Sequence, residues 1–330
     1  GFVVDGSGTR FDKTDAAVRV RASRVEVRGL TVRRALFGIL VELAKEVTIR
    51  DNHVVGSGQA AFGLRGDGIR FWEVEESSID GNSVVDARDV VVWYSSKNRV
   101  VHNRVSGCRY GTHFMYSHDN VVEDNEYVAN VVGVFVMYSR DVALRRNLIA
   151  RCSGAAGIGL GVKGSGNLVV EDNALLGNTM SVYLDTSPLD RTHANRFRGN
   201  RFNMSNVAVG FHASPHRNSF EGNSFRDNTR QVEVGGGGDA VATSWKGNYW
   251  GDYQGYDLDR DGVGDVPYEL RSLSGELVSR KPELAFLRSC PALHMVDIVG
   301  HVLPLFAPKK LLVDDAPLAA VPALEWIDAR

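Results

Sequence analysis

The sequence predicts an all-β protein: a right-handed parallel β-helix of about ten turns with an irregular C-terminal extension. The first observation behind this prediction is an asparagine-centred pattern that recurs along most of the chain. The second is a series of short alternating segments separated by Gly, Asn, Asp or Ser. Composition agrees with both, since 35 Gly against 9 Pro favours many turns over long helices.

The repeated pattern is an apolar residue, two polar or small residues, Asn, one further residue and an apolar residue. Its hits are Asn52, Asn82, Asn103, Asn125, Asn147, Asn173, Asn200, Asn223 and Asn248. Gly29 is expected to hold the equivalent place one turn earlier. Such a short period indicates stacked units that bury a core only together with their neighbours. Asn suits a corner because it tolerates left-handed backbone and can pair its amide with the residues above and below.

Each unit contains two or three strands of three to six residues and no 3.6-residue apolar stripe, which excludes helical solenoids. Leucine-rich repeats would need a regular Leu framework that is missing. A parallel β-helix remains, and parallel crossovers favour the right-handed coil.

One column of side chains is expected to face outward from a single sheet. Counting ten residues back from five of the corner asparagines gives Trp72, Trp93, Met115, Met137 and Lys163. Residues of the opposite parity are apolar and should fill the interior. The outward aromatic residues Trp72, Trp93 and Phe135 predict a docking surface, because exposed apolar patches mark partner sites. The alternative is that a loop or the C-terminal segment covers them as a second small core.

His113 and Met115 lie two residues apart on one strand, and Met137 lies one turn beyond Met115. Imidazole and thioether ligands together favour Cu(I), so these three residues are the copper candidates. A looser second set has irregular spacing, and any one of its histidines alone is better explained as a surface residue. This set comprises Met180, His193, Met204, His212 and His216.

Cys108 and Cys152 each follow a corner asparagine by five residues and lie two turns apart. At roughly 4.8 Å per turn their separation is about 9.6 Å, which is too long for a disulfide. We expect both thiols to pack inward.

An acidic loop lies within residues 247–268. Asp257, Asp259, Asp261 and Asp265, with Gly262 at the sharp turn, match positions one, three, five and nine of a calcium loop. Tyr268 replaces the final Glu, so the loop is either a structural Ca²⁺ or Mg²⁺ site or a solvated acidic turn.

The repeat ends at Tyr268, which divides the chain into a β-helix at 1–268 and an extended docking segment at 269–330. This segment carries six of the nine prolines and two apolar clusters, at 284–287 and 302–306. It either reaches a partner or packs back on the coil. No apolar window is long enough to span a membrane. The formal charge of −2 gives no electrostatic reason to expect nucleic acid.

The segments Gly-Asn-Tyr-Trp at 247–250, Asp-Tyr-Gln-Gly-Tyr-Asp at 252–257 and Asp-Gly-Val-Gly-Asp-Val-Pro-Tyr at 261–268 follow turns such as 111–125. This combination resembles the NosD family of periplasmic copper-binding accessory proteins of nitrous-oxide reductase maturation. The resemblance implies a right-handed β-helix that works with an ABC-type permease and ATPase, with nitrous-oxide reductase and with an upstream copper chaperone. Membrane contact is expected only through these partners or the C-terminal segment. The usual start of the family is missing, which predicts a processed or truncated copy.

Two functions from different classes follow. The first is a non-catalytic copper-binding and docking subunit that delivers copper to nitrous-oxide reductase. The alternative is a polysaccharide lyase, hydrolase or epimerase, because β-helices bind sugar chains and Trp72 and Trp93 are suited to stacking on pyranose rings. Such an enzyme needs an acid and a base facing the groove. The outward column shows no two carboxylates stacked on each other.

Overall fold

The chain coils into three parallel sheets, and each full turn adds one strand to every sheet. The computed structural model describes residues 2–6, 15–212, 216–235, 239–272, 281, 283–284, 290, 295–296 and 309–328. Sheet I has 11 strands, and sheets II and III have 10 each. The predicted parallel β-helix of about ten turns is confirmed.

The strands are numbered in chain order and grouped here by sheet. Sheet I contains β1 (Phe2–Asp5), β4 (Leu30–Arg33), β7 (His53–Val55), β10 (Ser83–Val85), β13 (Arg104–Ser106), β16 (Glu126–Val128), β19 (Leu148–Ala150), β22 (Ala174–Leu176), β25 (Arg201–Asn203), β28 (Ser224–Arg226) and β31 (Tyr249–Trp250). Sheet II contains β2 (Ala16–Val20), β5 (Phe37–Lys45), β8 (Ile69–Glu75), β11 (Asp89–Trp93), β14 (Tyr110–Met115), β17 (Val132–Met137), β20 (Ile158–Lys163), β23 (Met180–Asp185), β26 (Val207–His212) and β29 (Arg230–Val234). Sheet III contains β3 (Glu26–Arg28), β6 (Thr48–Arg50), β9 (Ser78–Asp80), β12 (Arg99–Val101), β15 (Val121–Glu123), β18 (Ala143–Arg145), β21 (Val169–Glu171), β24 (Asn195–Arg198), β27 (Asn218–Glu221) and β30 (Ser244–Lys246).

Beyond the coil, β32 (Tyr268–Ser272) pairs antiparallel with β33 (Lys309–Asp314). The helical elements with described bounds are a 3₁₀ turn at Phe62–Leu64 and a short helix α1 at Glu325–Asp328, and further helical residues occur at 235, 283–284 and 295–296. None of the helices in the described part of the chain has the length and apolar character that crossing a bilayer requires.

The corner asparagines form one continuous ladder along the coil. In each rung the backbone N–H and the side-chain amide of one Asn both donate to Oδ1 of the Asn one turn farther on, at 2.9–3.1 Å. All nine ladder residues are buried. The predicted amide pairing is therefore confirmed, and it satisfies polar groups that the corner would otherwise bury at a cost.

The left-handed backbone lies one residue earlier than predicted. The residue before each ladder Asn has positive φ, as at Gly81 (63°) and Asp124 (56°), while the asparagines do not. This residue turns the chain and aims the following side chain inward. The same offset corrects the first turn: Gly29 takes the turning position (φ 67°), and Leu30 takes the ladder position by donating its N–H to Asn52.

The C-terminal segment supplies the last rung of the ladder. Asp314 is fully buried and accepts hydrogen bonds from the backbone N–H groups of Gly247 and Asn248, the Asn248 amide and the Trp250 indole, at 2.9–3.1 Å. Tyr268 stacks on Trp250 with ring centroids 4.4 Å apart. The final coil edge is thereby closed by residues far away in the sequence.

The described residues 309–328 lie against the coil, which is the second of the two outcomes that the sequence left open. Besides the Asp314 contacts, the Trp326 indole donates to the Asp172 carbonyl at 2.7 Å, and Arg201 pairs with Asp328 at 2.6 Å. Leu284 aside, the apolar clusters at 284–287 and 302–306 fall outside the described residues. The division at residue 268 and a docking role for the segment stay predictions.

Candidate functional site

The predicted outward column is present on sheet II. Strand register places Trp72 beside Trp93, Trp93 beside Met115, Met115 beside Met137, and Met137 beside Lys163. All five side chains are partly exposed, while neighbours of opposite parity such as Phe114 and Val136 are fully buried. The thioethers therefore lie on the outer wall of the coil and not in its interior.

A second outward column runs beside the first and carries His113 and Phe135 in register. His113 is only 5% exposed, because it lies among rings: its centroid is 4.8 Å from that of Tyr110, 5.4 Å from Trp93 and 6.0 Å from Phe135. A Cβ on Gly161 would overlap the Phe135 ring, so the absence of a side chain there gives this ring its resting place.

Both ring nitrogens of His113 have a neighbour. The Trp93 indole N–H donates to Nδ1 at 3.3 Å, and Nε2 lies 3.2 Å from Met137 Sδ. Met115 adjoins Met137 in register. Of the three predicted copper candidates, the structure thus brings His113 and Met137 into direct contact and places Met115 two residues from His113 on β14, beside Met137 on β17.

Charge around His113 favours a neutral imidazole. Burial, followed by the positive charges of Arg109 and Arg88, lowers the pKa of His113 to about 3. Arg109 and Arg88 are themselves paired with the buried carboxylates Asp89 and Asp67. Near neutral pH the ring is therefore uncharged, which is the form of imidazole that binds metals.

The donor set fits Cu(I) better than a doubly charged ion. An uncharged imidazole nitrogen and a thioether sulfur already lie within contact distance, and both are soft or borderline ligands. The neighbouring arginines oppose any cation, and because this repulsion scales with charge they oppose a divalent ion about twice as strongly. The residues therefore fit a monovalent soft metal ion as cargo.

The second set of copper candidates does not form one site. The backbones of Met180 and His212 are five residues apart in register, or roughly 17 Å at about 3.3 Å per residue, and the Met180 thioether packs against Gly210. Met204 is exposed before the start of β26, while His193 and His216 precede strands of sheet III. Among the described residues, the three histidines do not converge on a common metal position.

The acidic loop brings three of its four predicted ligands together. Carboxylate oxygens of Asp257, Asp259 and Asp261 lie within 4.8 Å of one another. Asp265 instead accepts the Leu258 N–H at 2.6 Å and closes the loop. The C-terminal segment holds the loop through an N–H of Gly264 that donates to the Pro317 carbonyl. Ca²⁺ or Mg²⁺ binding stays a prediction, since loop hydrogen bonds alone account for this geometry.

No two carboxylates lie close together in the described part of the outward column, where Asp185 pairs instead with Lys163 at 3.1 Å. Its carboxylates, Glu42 and Asp185, are six strands apart, which is roughly 29 Å at about 4.8 Å per strand. Asp67, just before β8, and Asp89, the first residue of β11, have no exposed side-chain surface, and burial raises the pKa of Asp67 to about 6. Carboxylate-pair glycosidases need groups within about 10 Å.

An exposed ladder of tyrosines, not predicted from the sequence, lies beside the column. Tyr94, Tyr116 and Tyr138 stack with centroids 5.2–5.5 Å apart, and Tyr94 and Tyr116 are 44% and 46% exposed. Each follows a column residue directly and has positive φ, which points the ring outward at the strand end. Their constant spacing of 22 residues is the signal that would have identified them.

Cysteine is not a ligand at this site. Cys108 and Cys152 are fully buried and free, as predicted, and burial raises the pKa of each to about 12. Maleimide treatment of the native protein should therefore leave both thiols unmodified and label the partly exposed Cys290. Mass spectrometry of peptides checks this, with the denatured protein, in which all three react, as control. Native labelling of Cys108 would contradict the buried position.

The chain is similar in sequence to known proteins along most of its length. The family model described as "Periplasmic copper-binding protein (NosD)" matches residues 57–255, which is more than half of the chain. A relative from Pseudomonas aeruginosa, named "Probable ABC transporter binding protein NosD", is 28% identical over 363 aligned positions, covering 98% of this chain and 79% of the relative. A protein of the same name from Stutzerimonas stutzeri is 29% identical over 129 positions, covering 39% of this chain and 29% of that protein.

Among solved structures, the tailspike protein of Dettilon (gp208) is similar with a TM-score of 0.49 and 15% identity, over 62% of this chain and 44% of that one. This likeness is too distant to bear on function. The family match, together with the alignment over nearly the full chain, decides the relationship: the chain belongs to the NosD family.

Proposed function

We propose that this chain is a non-catalytic periplasmic subunit that holds Cu(I) on the outer wall of sheet II and passes it on. The observation that carries the proposal is the contact between His113 Nε2 and Met137 Sδ, 3.2 Å apart on an outward-facing surface. Met115, on the same strand as His113 and beside Met137 in register, is the third ligand in this proposal. The description of the matching family as periplasmic and copper-binding supports the metal and the compartment.

The ligand set suits transfer more than storage. Two or three soft neutral ligands bind Cu(I) without the charge of thiolates, and such ligands exchange readily with those of an acceptor. The partly exposed rings of Trp72, Trp93 and Phe135 border the site and form the docking surface for that acceptor. A second docking element in this proposal is the segment 269–330.

The names of the relatives support association with an ABC-type transporter. We place this chain with the permease and ATPase of such a transporter, with an upstream chaperone as copper donor and nitrous-oxide reductase as acceptor. These partners follow from the family resemblance, and a pull-down with the purified permease and reductase tests them.

A titration of Cu(I) against a chromophoric competitor chelator, under reducing and oxygen-free conditions, tests the metal site. We expect the wild-type protein to retain one equivalent. Met137→Leu and Met115→Leu keep side-chain volume but remove sulfur, and should weaken retention on the order of 100-fold for Met137→Leu and less for Met115→Leu.

Met295→Leu is the matched control, because Met295 is 58% exposed and lies outside the repeat; its retention should equal that of the wild type. Retention unchanged in both Met137→Leu and Met115→Leu would refute the proposed ligands. Cleavage or epimerisation of a uronate polymer by a protein without copper affinity would instead favour the enzyme alternative.

A further inference from the structure

Trp93 was predicted as part of a docking surface, but its indole also fixes the state of His113. A neutral imidazole carries one proton, on either Nδ1 or Nε2. Because Nδ1 accepts the Trp93 N–H, Nδ1 has no proton and the proton is on Nε2. The Nε2–H group then points at Met137 Sδ, 3.2 Å away, and the lone pair needed there for a metal is absent.

Copper bound to either ring nitrogen of His113 is incompatible with the hydrogen bond from the Trp93 indole to Nδ1. A metal on Nδ1 displaces the indole N–H directly. A metal on Nε2 requires that the proton leave Nε2 and that Nδ1 be protonated, so that two N–H groups would face each other across 3.3 Å. The proton count is unchanged in this second route, since one proton leaves Nε2 and one binds Nδ1. In both routes the indole must turn away.

We propose that Trp93 is a positioning residue that withholds His113 from the metal, and that displacement of its indole opens the copper site. This rests on the copper role proposed above. The position of Trp93 suits such control, because its side chain is partly exposed while His113 is 5% exposed. The Arg70 guanidinium, 4.9 Å from the Trp93 ring centroid, holds the resting orientation from the other side. A partner that engages the exposed edge of Trp93 therefore acts on the copper ligand behind it.

The first test uses the wild-type chain without copper. Long-range ¹H–¹⁵N correlation of protein labelled in histidine distinguishes the two tautomers, and a His113→Asn variant identifies the resonance. We expect His113 in the Nε2–H form, and a shift of the Trp93 indole N–H when Cu(I) is added. A His113 ring that carries its proton on Nδ1, or an indole N–H that stays bonded in the copper complex, would overturn the inference.

The second test removes only the donor. Trp93→Phe keeps an aromatic ring but has no N–H, so it should populate the Nδ1–H form and bind Cu(I) about fivefold more tightly, the gain expected when one hydrogen bond no longer competes. Trp326→Phe is the matched control, since its indole donates to the Asp172 carbonyl elsewhere on the coil. Unchanged or weaker binding in folded Trp93→Phe protein would overturn the gating role.

The two proposals fail in different ways. If Met137→Leu leaves copper retention unchanged, the proposed copper site is refuted, and the gating role of Trp93 is refuted with it. The tautomer spectrum, recorded without metal, reports the Trp93–His113 bond in either case. Copper retention that depends on Met137, together with an Nδ1–H tautomer in the wild type or no gain in Cu(I) affinity in Trp93→Phe, would refute only the gating inference.

Discussion

Replacement of Asp314 by Ala should destabilise the last turn of the coil by about 4 kcal/mol. The substitution removes the acceptor of five donors: the N–H groups of Gly247, Asn248 and Ala316, the Asn248 amide and the Trp250 indole, of which the last two and the Asn248 N–H are buried. Each unsatisfied buried donor costs about 1–3 kcal/mol, and water that reaches the opened end recovers part of this. Denaturant unfolding measures the loss, and hydrogen exchange should increase most in β30 and β31.

Asp315→Ala is the control for this experiment. Asp315 is the next residue and is exposed, so its removal should change the free energy of unfolding by less than about 0.5 kcal/mol. Equal stability of Asp314→Ala and the wild type, with unchanged exchange in β31, would show that the C-terminal segment does not hold the coil end in solution.

Replacement of Asn125 by Ala should cost about 3 kcal/mol in the middle of the ladder. The Asn125 Oδ1 accepts from the backbone and side chain of Asn103, and its amide donates to Asn147 and to the Val100 carbonyl. Because each turn contacts only its neighbours, the loss should be local. Exchange should therefore increase in β12, β13, β15, β16 and β18 while β31 keeps its protection.

Asn206→Ala provides the comparison, since Asn206 is exposed and bonds through its backbone: its N–H donates to the Asn178 carbonyl, and its carbonyl accepts from the Arg230 N–H. Its effect should stay below about 0.5 kcal/mol. A loss in Asn206→Ala as large as in Asn125→Ala would mean that asparagine stabilises this chain through turn propensity and not through the buried ladder.

The repeat made the fold and the outward column predictable. A constant distance from Trp93 and Met115 to the next ladder asparagine places both at one position of the turn, and the period of two then decides which side faces out. The structure confirms that register. The spacing of residues in the sequence therefore determines which strand a side chain lies on and which face of the sheet it occupies.

Contacts that depend on side-chain direction were not predictable. The spacing put His113 and Met137 one turn apart, but not the indole of Trp93 on the other nitrogen of the ring. Similarly, Arg88 and Arg109 are fixed over His113 by the buried carboxylates Asp67 and Asp89, a network without a repeat period.

The role of Asp314 was not predictable for a different reason. It fills a ladder position 66 residues after Asn248, with a different side chain and no repeat pattern around it. Sequence periodicity can reveal a rung only where the unit recurs. A carboxylate with two acceptor oxygens can replace an amide here because no further rung follows that would need a donor.

The late position of Asp314 in the chain has a consequence for biosynthesis. Turns can form in order as the polypeptide is made, but the residue that seals the final edge is produced only after more than sixty others. A product released before residue 309 would present an uncovered strand edge, the kind of surface that recruits other strands and causes aggregation. Completion of translation thereby becomes a condition for a soluble protein, and truncated chains are exposed to proteolysis before they can compete with intact ones.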